Sequence, residues 1–327
     1  MNIKLILKTN KFTSSLYSHL KSIKDDCKEH KRRAWERTKF KFVDRSLGKT
    51  KVCVLLAGYK TFLYENTFER IRRFLPMDTD MVVVTSGMFS AEIADLCEKY
   101  EWSYLSTAIN NVALVQNLAI KLHPHAEYIY KLDEDIFVTR GCFEMLFETF
   151  RYVKEEGTYI PLFVAPLLPI NGFSYLRLLK KLNLVKDYTN RFERPCYAAG
   201  QNRMIETNPD VAKYFWGYEN SVPHIDIMNS MFLAEPMNYS VCPIRFSIGF
   251  ILFERKTWEE MDGFTVNLRG TDMGLDELEL CEMSMKKSYS IIISENCVAG
   301  HLSFGSQNRA MKEYYLSNPE NFEIKSV

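Results

Sequence analysis

The 327 residues, 46% hydrophobic and 25% charged, have the composition of an ordinary folded protein with a sizeable core, built as one large domain or one domain with additions. The net charge of +1 is too small for a chain organised around nucleic acid, and it is unevenly spread. Residues 1–50 carry fourteen Lys and Arg against five Asp and Glu, leaving twenty-eight against thirty-six in the remainder. The eight cysteines (27, 53, 97, 142, 196, 242, 281 and 297) form no CxxC pair, and several lie in apolar runs. They read as reduced thiols of a cytosolic protein, with no zinc site. No apolar run approaches the roughly eighteen residues that a membrane span needs, and Ile3-Lys4-Leu5-Ile6-Leu7 is too short and too interrupted for a signal peptide.

Taken in chain order, residues 1–47 read as a basic helical arm. Leu16, Leu20, Ile23 and Cys27 recur at helical spacing, and a Lys31-Arg32-Arg33-Ala34-Trp35-Glu36-Arg37 cluster follows. Such a segment suits an anionic membrane surface; the plainer alternative is a solvated helix packed on the body. Lys51–Gly58 reads as a buried strand ending in a glycine turn, followed by a helix from Thr61 to Leu75 that Pro76 closes. Met81–Gly87 is a second strand and turn, Ala91–Tyr100 a helix, Trp102–Leu105 a third strand, and Asn111–Leu122 a helix. Tyr128–Val138 is a strand interrupted by Asp133-Glu134-Asp135. A helix over 143–152 and a Pro-punctuated strand over 159–166 come next, then an irregular stretch at 171–242 that reads as an insertion beside the site rather than a second domain. Within that stretch, His224 and Asp226 stand at strand spacing, and a structural histidine is the preferred reading. Arg245–Phe253 is a strand, Gly274–Lys287 a helix with an acidic start, Ile291–Ile293 a late strand, and residues 316–327 a tail. Strand–helix alternation of this kind predicts an α/β fold, with a mostly parallel central sheet flanked by helices, over 48–315. Ligands bind such sheets beyond the carboxyl ends of the strands, where Gly58, Ser86 and Asp133–Asp135 all fall.

Three adjacent carboxylates cannot be buried together without compensation, so they must be solvated or hold cations. Hard ions such as Mg2+ and Mn2+ take oxygen ligands and share them with substrate phosphates. A strand ending in Asp-x-Asp is therefore a place to hold a metal–diphosphate, although a solvated acidic turn is the simpler alternative. Asp276 and Glu277 at a helix start raise the same choice between chemistry and simple capping.

The order of these parts, a first strand with a Gly turn, Asp133-Glu134-Asp135, a Gly-bearing strand at 245–253, Asp276-Glu277 and a lone His301, resembles the GT-A glycosyltransferases. The likeness spans about residues 50–310 and is strongest to the large inverting family, family 2-like, and within it to bacterial capsular or surface-polysaccharide enzymes. Those enzymes have runs similar to Asn117-Leu118-Ala119-Ile120-Lys121 and Tyr130-Lys131-Leu132-Asp133-Glu134-Asp135. The resemblance implies a Rossmann-like GT-A fold and the transfer of one sugar from a nucleotide-diphosphate sugar, a UDP-sugar foremost, to a glycan or lipid-linked glycan. It further implies that Ala57, Gly58, Tyr59, Ser86, Gln116, Asn117, Asp133 and Glu134 line the nucleotide site. Asp135, Asp133 and His301 would hold Mn2+ or Mg2+, which would neutralise the leaving diphosphate. A base drawn from Glu277 or Asp276 would take the acceptor's proton. Alignment on Leu278-Glu279-Leu280 favours Glu277, while the helix-start position suits Asp276. Thr85 and Ser86 stand where such enzymes often carry a base-contacting carboxylate, which leaves the nucleotide open. Gln307-Asn308-Arg309 only partly matches the Gln-x-x-Arg-Trp of processive synthases, so single-sugar addition is expected, in the cytoplasm with peripheral contact at the inner face of the plasma membrane. The rival readings are a sugar nucleotidyltransferase, disfavoured because Gly58-Tyr59-Lys60-Thr61 is not a glycine-rich phosphate loop, and a non-catalytic scaffold of a polysaccharide assembly complex.

Overall fold

The structure, a computed structural model, describes residues 37–200, 203–267 and 274–326, together with Ser15 and His19. Most of the basic arm expected over 1–47, and the membrane contact assigned to it, lies outside the described residues. The last part of that arm belongs to the body, because β1 (Phe40–Val43) adds antiparallel to β4 (Ser103–Thr107) and covers its edge.

The apolar runs become strands because β-branched and aromatic residues can be buried on both faces of a sheet covered by helices. β2 (Lys51–Ala57) leads through a 3-10 turn into α1 (Tyr64–Phe74), and β3 (Thr79–Thr85) into α2 (Ala91–Lys99). After β4 comes α3 (Val112–Leu122), whose N-cap Asn111 accepts from Leu114 N at 2.9 Å. β5 (Tyr128–Asp133), the two-residue β6 (Ile136–Phe137), α4 (Cys142–Glu156) and β7 (Pro161–Leu167) follow. The insertion is mostly helical: α5 (Ser174–Lys181), α6 (Val185–Arg191), α7 (Met204–Thr207), α8 (Pro209–Phe215) and α9 (Ile225–Leu233). Its end, β8 (Tyr239–Cys242), pairs antiparallel with β10 (Ser290–Val298) and closes that side of the sheet. β9 (Phe250–Glu254), α10 (Arg255–Met261), α11 (Leu275–Lys287), β11 (Gly300–His301) and α12 (Asn308–Ser317) complete the described elements.

Among the described residues, nine strands form one sheet in the order β1-β4-β3-β2-β5-β9-β7-β10-β8. β4, β3, β2, β5, β7 and β10 point the same way, and β1, β9 and β8 run against them. The α/β class expected from the alternation is thus present, with a mostly parallel central sheet flanked by helices. Val52–Leu55, Val82–Val84 and Ile129–Leu132 are buried at its centre, each large apolar side chain contributing about 1.5–3 kcal/mol.

The reversed direction of β9 corrects the longer strand expected over 245–253. Only its second half pairs, and Ser247–Gly249 instead cross the carboxyl ends of the parallel strands, where Asp133 N donates to Gly249 O at 2.8 Å. Gly249 lets the chain pass close to β6, since a Cβ there would lie 3.0 Å from Ile136 Cδ1. The segment beyond residue 316 packs on the body: Phe322 is fully buried, its ring 4.4 Å from that of Trp216.

His224 and Asp226 open α9 rather than lying on a strand, which corrects their expected spacing. His224 is the N-cap: its Nδ1 accepts from Asp226 N at 3.2 Å. Burial pulls this imidazole down to about 4, with Asp226 opposing that shift and Arg70 and Lys325 adding to it. A histidine held neutral in the fold contributes stability that is fully present above its unfolded value near pH 6.5. That contribution is lost as pH falls towards 4, on the order of 3 kcal/mol in total. His224→Asn keeps a capping acceptor but removes the titration. Urea midpoints at pH 7 and pH 4.5 are therefore expected to differ less in the variant than in the parent; equal differences would refute the assignment.

Candidate active site

Beyond the carboxyl ends of β2 and β5 lies a cleft of about 560 Å³, whose walls include Ala57, Tyr59, Ser86, Asp133–Asp135, Ser247–Gly249, Asp276, Glu277 and His301. Sheet topology explains the convergence. β2 and β5 are parallel neighbours that end together, and antiparallel β9 brings in the residues at its start. The β6–β11 ladder pairs His301 with Ile136, which sets the imidazole beside Asp135.

Each carboxylate has a separate internal partner, so the cost of gathering them is met by the fold itself. Glu134 faces the β2 turn, where Oε2 accepts from Gly58 N at 2.8 Å and Oε1 from Lys60 N at 2.9 Å and Tyr59 N at 3.1 Å. Burial pushes its carboxyl up, and the backbone N–H groups of the turn draw it back. It holds the turn rather than presenting free oxygens, and Gly58 is spent in the same contact. That turn needs glycine, because φ is +134° at Gly58 and a Cβ would lie 3.1 Å from Met88 Sδ. Asp133 Oδ1 accepts from Lys131 Nζ at 2.6 Å, and the same ammonium donates to Ile248 O at 2.8 Å. Burial raises the Asp133 carboxyl, Lys131 lowers it, and Asp135 adds to the rise.

Asp135 pairs with Lys60 Nζ, and His301 Nε2 stands 3.6 Å from its Oδ2. Burial alone would raise the Asp135 carboxyl, but Lys60 and His301 more than offset it, and the carboxyl sits well below its ordinary range. The imidazole moves the other way: burial lowers it, and Asp135 raises it further than burial lowers it. His301 Nδ1 donates to Ile170 O at 2.8 Å, which leaves Nε2 as the atom turned towards Asp135.

The expected shell of Asp133, Asp135 and His301 is therefore only partly assembled. Among the described residues, no group of three or more His, Cys, Asp or Glu side chains is arranged to hold a metal ion. Asp135 and His301 come together, and Asp133 is turned to Lys131. The pair still fits a divalent ion of the Mg2+ or Mn2+ kind. A carboxylate and a correctly turned Nε2 can serve where water and substrate phosphates fill the remaining positions.

At the other acidic pair, α11 starts from Gly274 at φ +80°, with no side-chain capping bond. Asp276 Oδ2 accepts from Gln116 Nε2 at 2.8 Å, and Glu277 pairs with Arg245 Nε. Their side-chain contacts are thus to Gln116 and Arg245, which stand behind the cleft wall, and not to the helix terminus. Burial pushes the Glu277 carboxyl up, with Arg245 pulling against it.

Gln116 and Asn117 part company because adjacent helical residues face different ways. Gln116 turns to Asp276, whereas Asn117 accepts from Trp258 Nε1 and Phe264 N, both at 2.9 Å, and donates to Phe264 O at 2.8 Å. Asn117 braces the loop after α10 instead of lining the cleft. Ser86 lies in the wall, but its Oγ accepts from Asn111 N at 2.6 Å and its carbonyl accepts from Tyr59 Oη at 2.8 Å. Tyr59 keeps most of its ring exposed at the cleft wall. Lys60, Lys131 and Arg245 are the site residues that sequence reasoning missed. Lys131 had a signal, since residues i and i+2 of a strand share a face and Asp133 is two positions on.

No family model matches the chain, and no curated protein matches it in sequence. Among solved structures, it is similar to the mannosyltransferase PcManGT from Pyrobaculum calidifontis in complex with GDP-Man and Mn2+, at 13% identity and a TM-score of 0.47, covering 99% of this chain and 76% of that one. It is also similar to residues 1–349 of S. aureus TarS, at 11% identity and a TM-score of 0.42, covering 83% of this chain and 64% of that one.

Proposed function

We propose that this chain is a metal-dependent glycosyltransferase. It moves one sugar from a nucleotide-diphosphate sugar to a hydroxyl of a glycan or lipid-linked glycan, with inversion, in the assembly of a bacterial surface polysaccharide. The observation that carries this reading is that one cleft holds both Asp135 with His301 and Asp276 with Glu277. Asp135 and His301 would hold Mg2+ or Mn2+, which when bound supplies positive charge to the diphosphate. The β2 turn, fastened by Glu134, would receive the nucleotide against Ala57 and Tyr59. A carboxylate from the acidic pair would accept the acceptor hydroxyl's proton as its oxygen bonds to the anomeric carbon and the bond to the diphosphate breaks. The raised Glu277 carboxyl suits such a base, and Asp276 stands beside it, oriented by a neutral amide.

A thermal-shift screen of UDP, GDP, CDP and TDP, each with and without Mn2+, tests the donor site. Specific binding of one diphosphate is expected to stabilise the fold by about 2.7 kcal/mol at one hundred times its Kd, and only with the ion present. Absence of a shift with every nucleotide would defeat the reading. A product linkage retaining the donor's anomeric configuration, read by NMR, would defeat inversion.

A further inference from the structure

We propose that Lys60 is a resident counter-cation that occupies Asp135 in the empty cleft, yields it to the divalent ion, and moves onto the donor's diphosphate, so that ion and nucleotide load together. This rests on reading the cleft as a donor site.

Lys60 stands in the turn that follows β2. Its ammonium pairs with the carboxylate that has the best claim to a metal, and both side chains line the cleft. Lys60 Nζ and His301 Nε2 face the same oxygen, Asp135 Oδ2, so an ion held between Asp135 and His301 takes the place of the ammonium. A buried carboxylate with its paired ammonium removed is the costly case, which explains why an internal cation stands beside Asp135. Lys131 does not share this role. Its side chain is 5% exposed and fixed on both Asp133 and Ile248 O, whereas that of Lys60 is 22% exposed.

Lys60 is also free to move without disturbing the loop that carries it. The backbone N–H groups of Gly58, Tyr59 and Lys60 all donate to Glu134, so the main chain is anchored independently of the Lys60 ammonium. A lysine is a compact charge on a flexible four-carbon stem, suited to switching between a carboxylate and a phosphate. The loop after the first parallel strand lies beyond the carboxyl end of the sheet, where a diphosphate would lie. Lys60 therefore competes with the ion when no nucleotide is bound and cooperates with it when one is. By linkage, the ion and the nucleotide must then strengthen each other's binding by the same factor.

Calorimetric titration of the full chain with Mn2+ alone, and with Mn2+ in the presence of saturating UDP or GDP, tests this. Lys60→Met is expected to bind Mn2+ alone about tenfold more tightly than the parent, because nothing competes for Asp135. In the same variant the tightening of Mn2+ by nucleotide should shrink by about tenfold, since the diphosphate has lost its cation. Lys60→Arg keeps the charge and should behave like the parent, and Lys60→Gln provides a second neutral variant should the methionine variant fold poorly. Unchanged or weaker Mn2+ binding in the neutral variants overturns the proposal while leaving the donor site intact. Failure of the parent to bind Mn2+ with either nucleotide, after a negative thermal-shift screen, removes the donor site and this proposal together.

Discussion

Replacing Arg70 with methionine is expected to cost about 3–5 kcal/mol of folding stability, the range for stranding one member of a buried ion pair. Arg70 is fully buried on α1, and its guanidinium grips Asp226 with Nη1 to Oδ1 at 2.8 Å and Nη2 to Oδ2 at 3.0 Å. The same side chain donates to Val138 O at 3.1 Å, Phe322 O at 3.0 Å and Glu323 O at 3.1 Å. One residue thus ties α1 to the start of α9, to the chain leaving β6, and to the C-terminal segment. Methionine would fill most of the volume but leave the Asp226 carboxylate to the Lys325 N–H, at 2.9 Å, because the Nδ1 of the neutral His224 beside it is itself an acceptor. The double change Arg70→Met/Asp226→Leu should cost less than the two single changes added together, because it removes both charges. Urea denaturation of the three variants measures this, and strict additivity would show that the pair is not coupled. Because Val138 follows the β6 strand that aligns Asp135 with His301, loss of Arg70 should also weaken any Mn2+-dependent ligand stabilisation.

The sheet was legible because its signals are local. Runs such as Cys53-Val54-Leu55 and Val82-Val83-Val84, broken by Gly58 and Gly87, announce buried strands and turns without knowledge of partners. Glu134 sits in the turn after β5, and its hold on the β2 turn joins residues 74 and 76 positions apart that no local pattern connects. Other contacts depend on tertiary proximity. Lys60 and Asp135 are 75 positions apart and Arg70 and Asp226 are 156 apart, and nothing in either flanking sequence distinguishes these residues from solvated charges. The direction of β9 belongs to the same class, since a strand's hydrophobic pattern does not say which way it runs. Three clustered carboxylates mark a place where the chain needs compensating charge. The compensation that such a cluster requires is supplied here by Lys60, Lys131 and the N–H groups of the β2 turn, none of which the acidic run itself identifies.

Asparagine at position 135 is expected to abolish the Mn2+-dependent stabilisation by nucleotide and to lower transferase activity more than about a hundredfold, because even changes one step out from a metal ligand cost about 10–100-fold in affinity. The fold should tolerate it. Asn is nearly isosteric, it removes a buried charge, and Lys60, 22% exposed, can turn its ammonium to water. Asp133→Asn should behave differently, although the two aspartates belong to one short motif. Its carboxylate answers Lys131, whose side chain is 5% exposed, so removing that charge leaves a largely buried ammonium with only neutral carbonyl acceptors, Ile248 O and the new amide oxygen. The Tm of Asp133→Asn should therefore fall below the parent's, while that of Asp135→Asn stays close to it. Measured side by side, melting curves without ligand and Mn2+ titrations with nucleotide separate a residue that supports the site from one that acts in it. Equal losses of Tm would mean that Asp135 is structural, and a metal response surviving in Asp135→Asn would move the ion elsewhere in the cleft.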